Sequence, residues 1–292
     1  MTQHALALLA TPALSGQQIV RILEGACPVV GEAESALAEV GNAALLHLHL
    51  TDHLLAPTAS RCAELVVSLA RQRPISLTLH DLPQPCDQHL RYERRRRAYA
   101  LMAAHACGVV VASEHERGLL TGALDAEGLR AGGPIEVIPL PIEAAPGSVP
   151  TLPKPGATPG ADGPHTPRDL VVFGYLYPGK GHAAALDALQ LGPGGQRADD
   201  EFADVGVLAL GAPSPGHERL VQEYTDRARA LGRRFTITGY LPDAEVLTRL
   251  RAAAVPVAAA DHVSASGSIG SWLAAGRRPL APAGPYVDEL DA

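Results

Sequence analysis

A lysine in a glycine-rich loop is the residue whose type and setting point most clearly to chemistry. Val171 to Leu189 reads VVFGYLYPGKGHAAALDAL: an apolar run, a loop containing Pro-Gly-Lys-Gly, and then a helical pattern. This order predicts that Lys180 and several backbone N–H groups lie near a helix N-terminus, an arrangement that suits a diphosphate. Taken alone, the segment also fits a surface lysine in an ordinary glycine turn.

A run of small residues offers a second place for an anion. Ser264 to Ser268 reads SASGS and leads into a helix predicted from about Ser268 to Ala275. Hydroxyl and N–H groups at the start of a helix can bind a negative charge. The alternative is an ordinary N-cap preceded by a flexible segment.

Histidines end or line two predicted strands of the first half. His47 and His49 alternate in ALLHLHL, which places them on one strand at the sheet edge or at the wall of a cleft, and His80 follows ISLTL. From the residues alone, His80 is best interpreted as capping a strand end through ordinary hydrogen bonds. A metal site formed with Asp52 is conceivable, but the spacing matches no recognised ligand pattern, so no metal is predicted.

A basic helix is predicted from about His89 to Ala106. It could contact an anionic lipid or an acidic acceptor, although a solvated face paired with Glu93 fits a charge run of this length. Its basic residues are Arg91, Arg94, Arg95, Arg96 and Arg97.

The elements that must position these residues alternate between strands and helices in both halves of the chain. Such alternation predicts parallel βαβ units and doubly wound sheets. Residues 145–167 are rich in proline and glycine, which predicts a linker between a domain at 1–144 and a second at 168–292. Two such sheets place a cleft at the carboxyl ends of their strands.

Length and composition limit the class of protein. The 292 residues suffice for two domains, and the net charge of -7 argues against a general nucleic-acid binder. Four scattered cysteines without a C-x-x-C pair suggest reduced thiols rather than zinc or disulfides. With no secretory leader and no apolar run long enough to span a membrane, we predict a cytoplasmic protein, at most peripheral at the inner face of the membrane.

The lysine segment resembles the F-G-x-L-x-P-x-K-G-x-x-x-x-L-x-A-L signature of family 4 retaining glycosyltransferases. The residues in register are Phe173, Gly174, Leu176, Pro178, Lys180, Gly181, Leu186, Ala188 and Leu189. Three later segments keep the order of that family, namely Val207–Gly211, Phe235–Pro242 and Ser271–Pro282. In the first half, SLTLHDLP, VVVASEHER and VIPLPI resemble the family's T-x-H-D, V-V-x-S-E and V-I-P-N-G-V segments.

The resemblance implies a GT-B fold, in which two Rossmann-like domains face a central cleft. It implies that His80 lies near the transferred sugar and that no metal ion is needed. The donor would be a UDP- or GDP-linked sugar, and the acceptor a glycan or glycolipid held by the first domain. The donor-binding residues it implies are Ser15, Gly16, Gly174, Lys180, Gly239, Ser266, Gly267, Ser268 and Ser271.

Three departures separate this chain from the family pattern. Tyr175 stands where an arginine follows the signature glycine, and the two glutamates of the family align with Ser271 and about Val263. Asp261 or His262 could substitute only with a shift of register. The helices that cross back to the first domain are missing from the pattern.

These departures support an alternative, a weakened relative that binds a sugar nucleotide or a partner without turnover. A nucleotide-sugar epimerase or dehydrogenase is disfavoured because no G-x-G-x-x-G follows the first strand.

Overall fold

The chain folds into two α/β units. The computed structural model describes residues 6–9, 29–30, 45–85, 89–142, 168–190 and 204–291. One unit comprises Met1–Leu140 together with Asp288–Ala292, and the other comprises Pro141–Val287. The predicted linker at 145–167 and the predicted donor residues Ser15 and Gly16 lie outside the described residues.

The first unit is built on a parallel sheet with the strand order β2-β1-β3-β4-β5-β6. The strands are β1 (Leu6–Leu9), β2 (Val29–Val30), β3 (Leu45–Leu50), β4 (Ile75–Leu79), β5 (Gly108–Val111) and β6 (Ile135–Val137). Leu46, Leu48 and Leu50 of β3 are buried in the core, whereas the alternate positions His47 and His49 are half-buried. Because side chains alternate along a strand, the histidines share the opposite face of the sheet. Their predicted place at the sheet edge is wrong, because β3 has neighbours on both sides.

Helices follow β3, β4 and β5, as the alternating pattern predicted. They are α1 (Asp52–Leu55), α2 (Ala59–Ala70), α3 (His89–His105) and α4 (Glu114–Ala126). The side chains of Thr58 and Ser113 accept hydrogen bonds from backbone N–H groups in the first turns of α2 and α4, and each therefore fixes where its helix begins. The short α1 was not predicted.

The second unit has a parallel sheet in the order β10-β7-β8-β9. Its elements are β7 (Leu170–Phe173), α5 (His182–Gln190), β8 (Val207–Leu210), α6 (Arg219–Ala230), β9 (Phe235–Ile237), α7 (Asp243–Ala252), β10 (Val255–Val257), α8 (Gly267–Ala274) and α9 (Pro285–Leu290). All four residues of β8 are buried because hydrophobic clusters cover both faces of the sheet.

The division of the chain into two units falls inside α9. Its residues up to Val287 group with the second unit, and those from Asp288 group with the first. In the first unit, the carboxylate of Glu289 accepts hydrogen bonds from the backbone N–H groups of Glu114 and His115, which begin α4. A carboxylate at this end of a helix also interacts favourably with the helix dipole.

Candidate functional site

The strand β7 ends in a glycine that makes room for the lysine predicted to bind phosphate. Gly174 has φ 115°, a conformation that favours glycine. A Cβ atom added at Gly174 would lie 3.1 Å from Cε and 3.3 Å from Nζ of Lys180. The glycine therefore allows the aliphatic part of Lys180 to cross the end of the strand.

Lys180 reaches the N-terminus of α8. Its Nζ donates a hydrogen bond to Ser268 Oγ at 3.0 Å and lies 5.8 Å from the centre of the Tyr177 ring. Among the described residues, no carboxylate forms an ion pair with this ammonium group. Burial lowers the pKa of Lys180 to about 8, because the charged form has lost part of its hydration.

The N-terminus of α8 adds a second source of positive potential. Ser266 Oγ accepts a hydrogen bond from the N–H of Ile269 at 3.2 Å and caps the helix. Within the part of the chain that the structure describes, the N–H groups of Gly267 and Ser268 have no acceptor. A partly desolvated ammonium group beside the positive end of a helix dipole is unfavourable unless an anion binds there. The arrangement therefore suits a phosphate.

Packing and hydrogen bonds connect the residues that follow β7, β8 and β9 at their carboxyl ends. Gly211, which follows β8, packs directly against the carbonyl of Gly174. Its N–H donates to Thr238 Oγ1 at 3.0 Å, and that hydroxyl donates to the carbonyl of Gly239 at 2.8 Å. Gly239 has φ 74°, so the chain turns sharply at the position predicted to border the nucleotide base.

Ser271 lies one turn further along α8, at the position predicted to bind the ribose hydroxyls. Its hydroxyl donates to the carbonyl of Gly267 at 2.8 Å. The oxygen of Ser271 is left to accept a hydrogen bond, whereas a carboxylate at this position would offer two charged acceptor oxygens.

Sequence reasoning did not single out His182, the residue that begins α5. Its side chain is 1% exposed and packs against the rings of Tyr224 and Phe235. Burial and then the charge of Lys180 lower its pKa to about 3, and neither ring nitrogen has a partner among the described residues. The signal in the sequence was a histidine two residues after the lysine in a loop that leads into a helix.

Asp261 supplies a carboxylate close to the same loop. A Cβ added at Gly179 would lie 3.1 Å from Asp261 Oδ2, and the N–H of Asp261 donates to the carbonyl of Gly179 at 2.9 Å. The sequence pattern placed the family's first glutamate at about Val263, and Asp261 could substitute only with a shift of register. The hydrogen bond to Gly179 shows that Asp261 lies beside the lysine loop.

In the first unit, three histidines gather on one face of the sheet. His49 Nδ1 and His80 Nε2 are 3.2 Å apart, and His47 forms hydrogen bonds of 2.8 Å with the hydroxyls of both Ser76 and Thr78. Burial, then the neighbouring His47, lowers the pKa of His80 to about 4, and burial is also the main reason that the pKa of His49 falls to about 3. Both imidazoles are therefore neutral near pH 7. The described residues contain no group of three or more His, Cys, Asp or Glu arranged to hold a metal ion.

The basic helix α3 does not present its five arginines as one patch. Arg95 is buried and pairs with Asp52 and Asp81, so its predicted membrane contact is wrong. The side chain of Arg96 is 14% exposed and pairs with Glu93 and Glu127. The exposed arginines are Arg91, Arg94 and Arg97.

Solved structures of Anabaena Alr3699/HepE share this fold. The complex with UDP-glucose has a TM-score of 0.68 at 16% identity and covers 98% of this chain and 82% of that chain. The complex with UDP and glucose has a TM-score of 0.67 at 16% identity and covers 98% of this chain and 83% of that chain. The complex with UDP has a TM-score of 0.63 at 17% identity and covers 98% of this chain and 82% of that chain. No protein-family profile and no curated protein sequence matches the chain.

The likeness establishes a GT-B type fold with two parallel-sheet α/β units, as the sequence predicted. The described residues contain no helix that is both long and apolar enough to span a membrane.

Proposed function

We propose that this protein transfers a sugar from a UDP- or GDP-linked donor to a carbohydrate or lipid-linked acceptor, with retention of configuration and without a metal ion. The observation that carries the proposal is the ammonium group of Lys180, which lies without a carboxylate partner in the described residues at the N-terminus of α8. The shared fold with structures that hold UDP-glucose supports it.

The second unit would hold the donor. Lys180, Ser268 and the N–H groups at the start of α8 would bind the diphosphate, and the turn at Gly239 would border the base. In the transfer step, the bond between the anomeric carbon and the phosphate oxygen breaks and a new bond to the acceptor oxygen forms on the same face of the sugar. The acceptor's proton leaves with the departing diphosphate, whose growing negative charge Lys180 stabilises.

His80 would contact the transferred sugar from the first unit. Since its imidazole is neutral near pH 7, it would act through a hydrogen bond to a sugar hydroxyl rather than as a cation. His80 Nε2 is close to His49, which leaves Nδ1 as the nitrogen available to a ligand.

The first unit would hold the acceptor. A shallow pocket of about 560 Å³ lies between α3 and α4 and is lined by Tyr92, Glu93, Arg96, His115 and Gly118, among others. An aromatic ring beside hydrogen-bonding groups of both charges suits a neutral polyhydroxylated ring. This lining supports a carbohydrate acceptor.

Contact with the cytoplasmic face of a membrane would involve the exposed part of α3. Leu90 is 71% exposed and lies beside the exposed Arg91 and Arg94, with Arg97 one turn further on. An apolar side chain among basic residues suits an anionic lipid surface. Co-sedimentation with vesicles containing phosphatidylglycerol, compared between the wild type and an Arg91→Gln/Arg94→Gln/Arg97→Gln variant, tests this proposal. Equal binding by both proteins would remove it.

The alternative function is binding of a sugar nucleotide without turnover. It is favoured by Ser271, whose neutral hydroxyl is already hydrogen-bonded within α8, and by Tyr175 at the family's arginine position. An assay of UDP-glucose hydrolysis and of transfer to a glycan panel separates the two functions, because a binder would saturate with UDP-glucose and release no UDP.

Titration calorimetry with UDP and GDP tests the donor site. We expect saturable binding by the wild type and its loss in Lys180→Ala. Arg229→Ala is a matched control, because it removes an exposed cation of the same unit whose partner is Asp226. Unchanged affinity in a folded Lys180→Ala variant would refute the proposed phosphate site.

A further inference from the structure

The turn that follows β4 has an unusual backbone conformation. Asp81 has φ 53°, and among the described residues it is the one non-glycine residue with positive φ. This left-handed region is unfavourable for residues other than glycine, although aspartate tolerates it better than most. Such a conformation persists when the surrounding groups hold it, and it often marks a functional position.

Two side chains of α3 bind the backbone of this turn. Arg95 Nη2 donates to the carbonyl of Asp81 at 2.6 Å and to its carboxylate at 3.0 Å. Tyr99 Oη donates to the carbonyl of His80 at 3.0 Å. Because Arg95 and Tyr99 are four residues apart on a helix, they share one face and bind two consecutive carbonyls.

The guanidinium group is itself held from a different element. Arg95 Nε and Nη2 each donate to the carboxylate of Asp52, at the start of α1, at 3.2 Å. Arg95 and Asp52 are each 5% exposed, and Tyr99 is fully buried. A planar guanidinium can bridge two carboxylates and a carbonyl in this way, and a lysine cannot match that geometry.

His80 is also fixed from the opposite side of the turn. The backbone N–H of His80 donates to the carbonyl of Leu50 at 2.9 Å, and the imidazole ring of His80 stacks on that of His49 with ring centres 5.5 Å apart. The backbone and the imidazole of His80 are thus both restrained, which leaves little freedom in the direction of Nδ1.

We propose that Arg95 is a positioning residue for sugar transfer, which holds the strained His80–Asp81 turn so that His80 presents Nδ1 to the transferred sugar. This inference rests on the proposed function for its catalytic consequence. The effect of Arg95 on the orientation of the His80 imidazole can be measured without any substrate.

The experiment compares Arg95→Lys with Arg97→Lys, an exposed control on the same helix. The first readout is the long-range ¹H–¹⁵N spectrum of the histidine rings, in which His80 is assigned from a His80→Gln variant. We expect Arg95→Lys to shift the His80 ring signals, and to change their pH titration, while Arg97→Lys leaves both unchanged. Unchanged His80 signals in a folded Arg95→Lys variant would overturn the proposal.

The second readout separates positioning from folding. We expect Arg95→Lys to lower kcat for transfer from UDP-glucose by ~10-fold or more, since small misplacement of a reacting group is costly, with UDP affinity unchanged. If Arg95→Lys does not fold, Tyr99→Phe removes the hydrogen bond of 3.0 Å to the carbonyl of His80, together with the longer contacts of 3.4 Å to Asp52, and should give the same changes at smaller size. A wild type that binds no UDP would refute the donor site and leave the spectral test intact. Equal loss of kcat and UDP affinity would indicate general damage and overturn the proposal.

Discussion

Two cations removed from solvent, one in each unit, differ in how their charge is balanced. Arg95 in the first unit pairs with the carboxylates of Asp52 and Asp81. Burial by itself would lower the pKa of Arg95, but Tyr99 and these two carboxylates outweigh burial, so the pKa rises above its ordinary value. Lys180 in the second unit has a serine hydroxyl as its polar contact, and its pKa falls to about 8. Carboxylates of the protein thus neutralise the charge of Arg95, whereas among the described residues no carboxylate pairs with Lys180.

The difference separates a structural role from a binding role. A buried charge with a full set of partners holds elements of the fold together, and removing one partner leaves the others uncompensated. A buried charge without a counterion destabilises the free protein until a ligand of opposite sign arrives. The two cations should therefore respond in opposite directions to the same substitution.

The largest effect is expected for Arg95→Met, which keeps a side chain of similar length and removes the charge. The buried carboxylate of Asp52 would lose its guanidinium partner, and the free energy of unfolding should fall by about 3–5 kcal/mol in urea denaturation. Adding Asp52→Asn should recover part of this loss, because the buried negative charge is then gone. Equal stability of Arg95→Met and the wild type would contradict the structural role.

Lys180→Met should act in the opposite sense and increase stability near pH 7 by roughly 2–4 kcal/mol. The folded pKa of about 8 lies below the unfolded value of 10.5. The penalty of burying the charge is therefore complete below pH 8 and disappears as pH rises from about 8 to 10.5. Denaturation curves of both proteins at several pH values measure the difference. A destabilised Lys180→Met variant at pH 7 would show that the charge is balanced within the protein.

UDP affinity should depend on pH through the same lysine. Binding requires the ammonium form, so affinity should fall as pH rises above about 8, by up to about tenfold per pH unit, until the higher pKa of the complex is reached. Titration calorimetry between pH 7 and 10 measures this slope, with Lys180→Arg as the control that stays charged throughout. An affinity that is flat over this range would rule out titration of Lys180 as the controlling event.

The smallest effect is expected for Tyr175→Arg, which restores the family's cation beside the signature glycine. Tyr175 is 46% exposed, so the change should leave the fold intact. One added charged hydrogen bond to the diphosphate should strengthen UDP binding by roughly tenfold. Tyr175→Phe serves as the control for loss of the hydroxyl. No gain with arginine would indicate that this position does not face the diphosphate.

The repeating elements of the fold were readable because strands and helices differ in the period of their apolar residues. The strand β4 has the predicted bounds, and within ISLTL the buried side chains of Ile75, Leu77 and Leu79 alternate with Ser76 and Thr78. The short α1 and β2 have too few residues for a periodic pattern, and the sequence did not indicate them.

The chemistry of the lysine loop was also indicated locally, because glycine and lysine act within one loop. The residues that the lysine loop contacts were not indicated locally. The contact between Lys180 and Ser268 joins residues 88 positions apart, and each was predicted from the sequence only as a separate candidate.

The alternating α/β architecture and the anion-binding composition of the lysine loop could be predicted from the sequence, since both follow from patterns within a few turns of chain. Tertiary structure alone decided which charges are balanced. In the string ERRRR, Arg95 and Arg97 look alike, yet one is buried against two carboxylates and the other is exposed. The physical reason is that desolvation and pairing depend on residues brought together from distant strands and helices, such as Asp52 and Asp81, which no local pattern records.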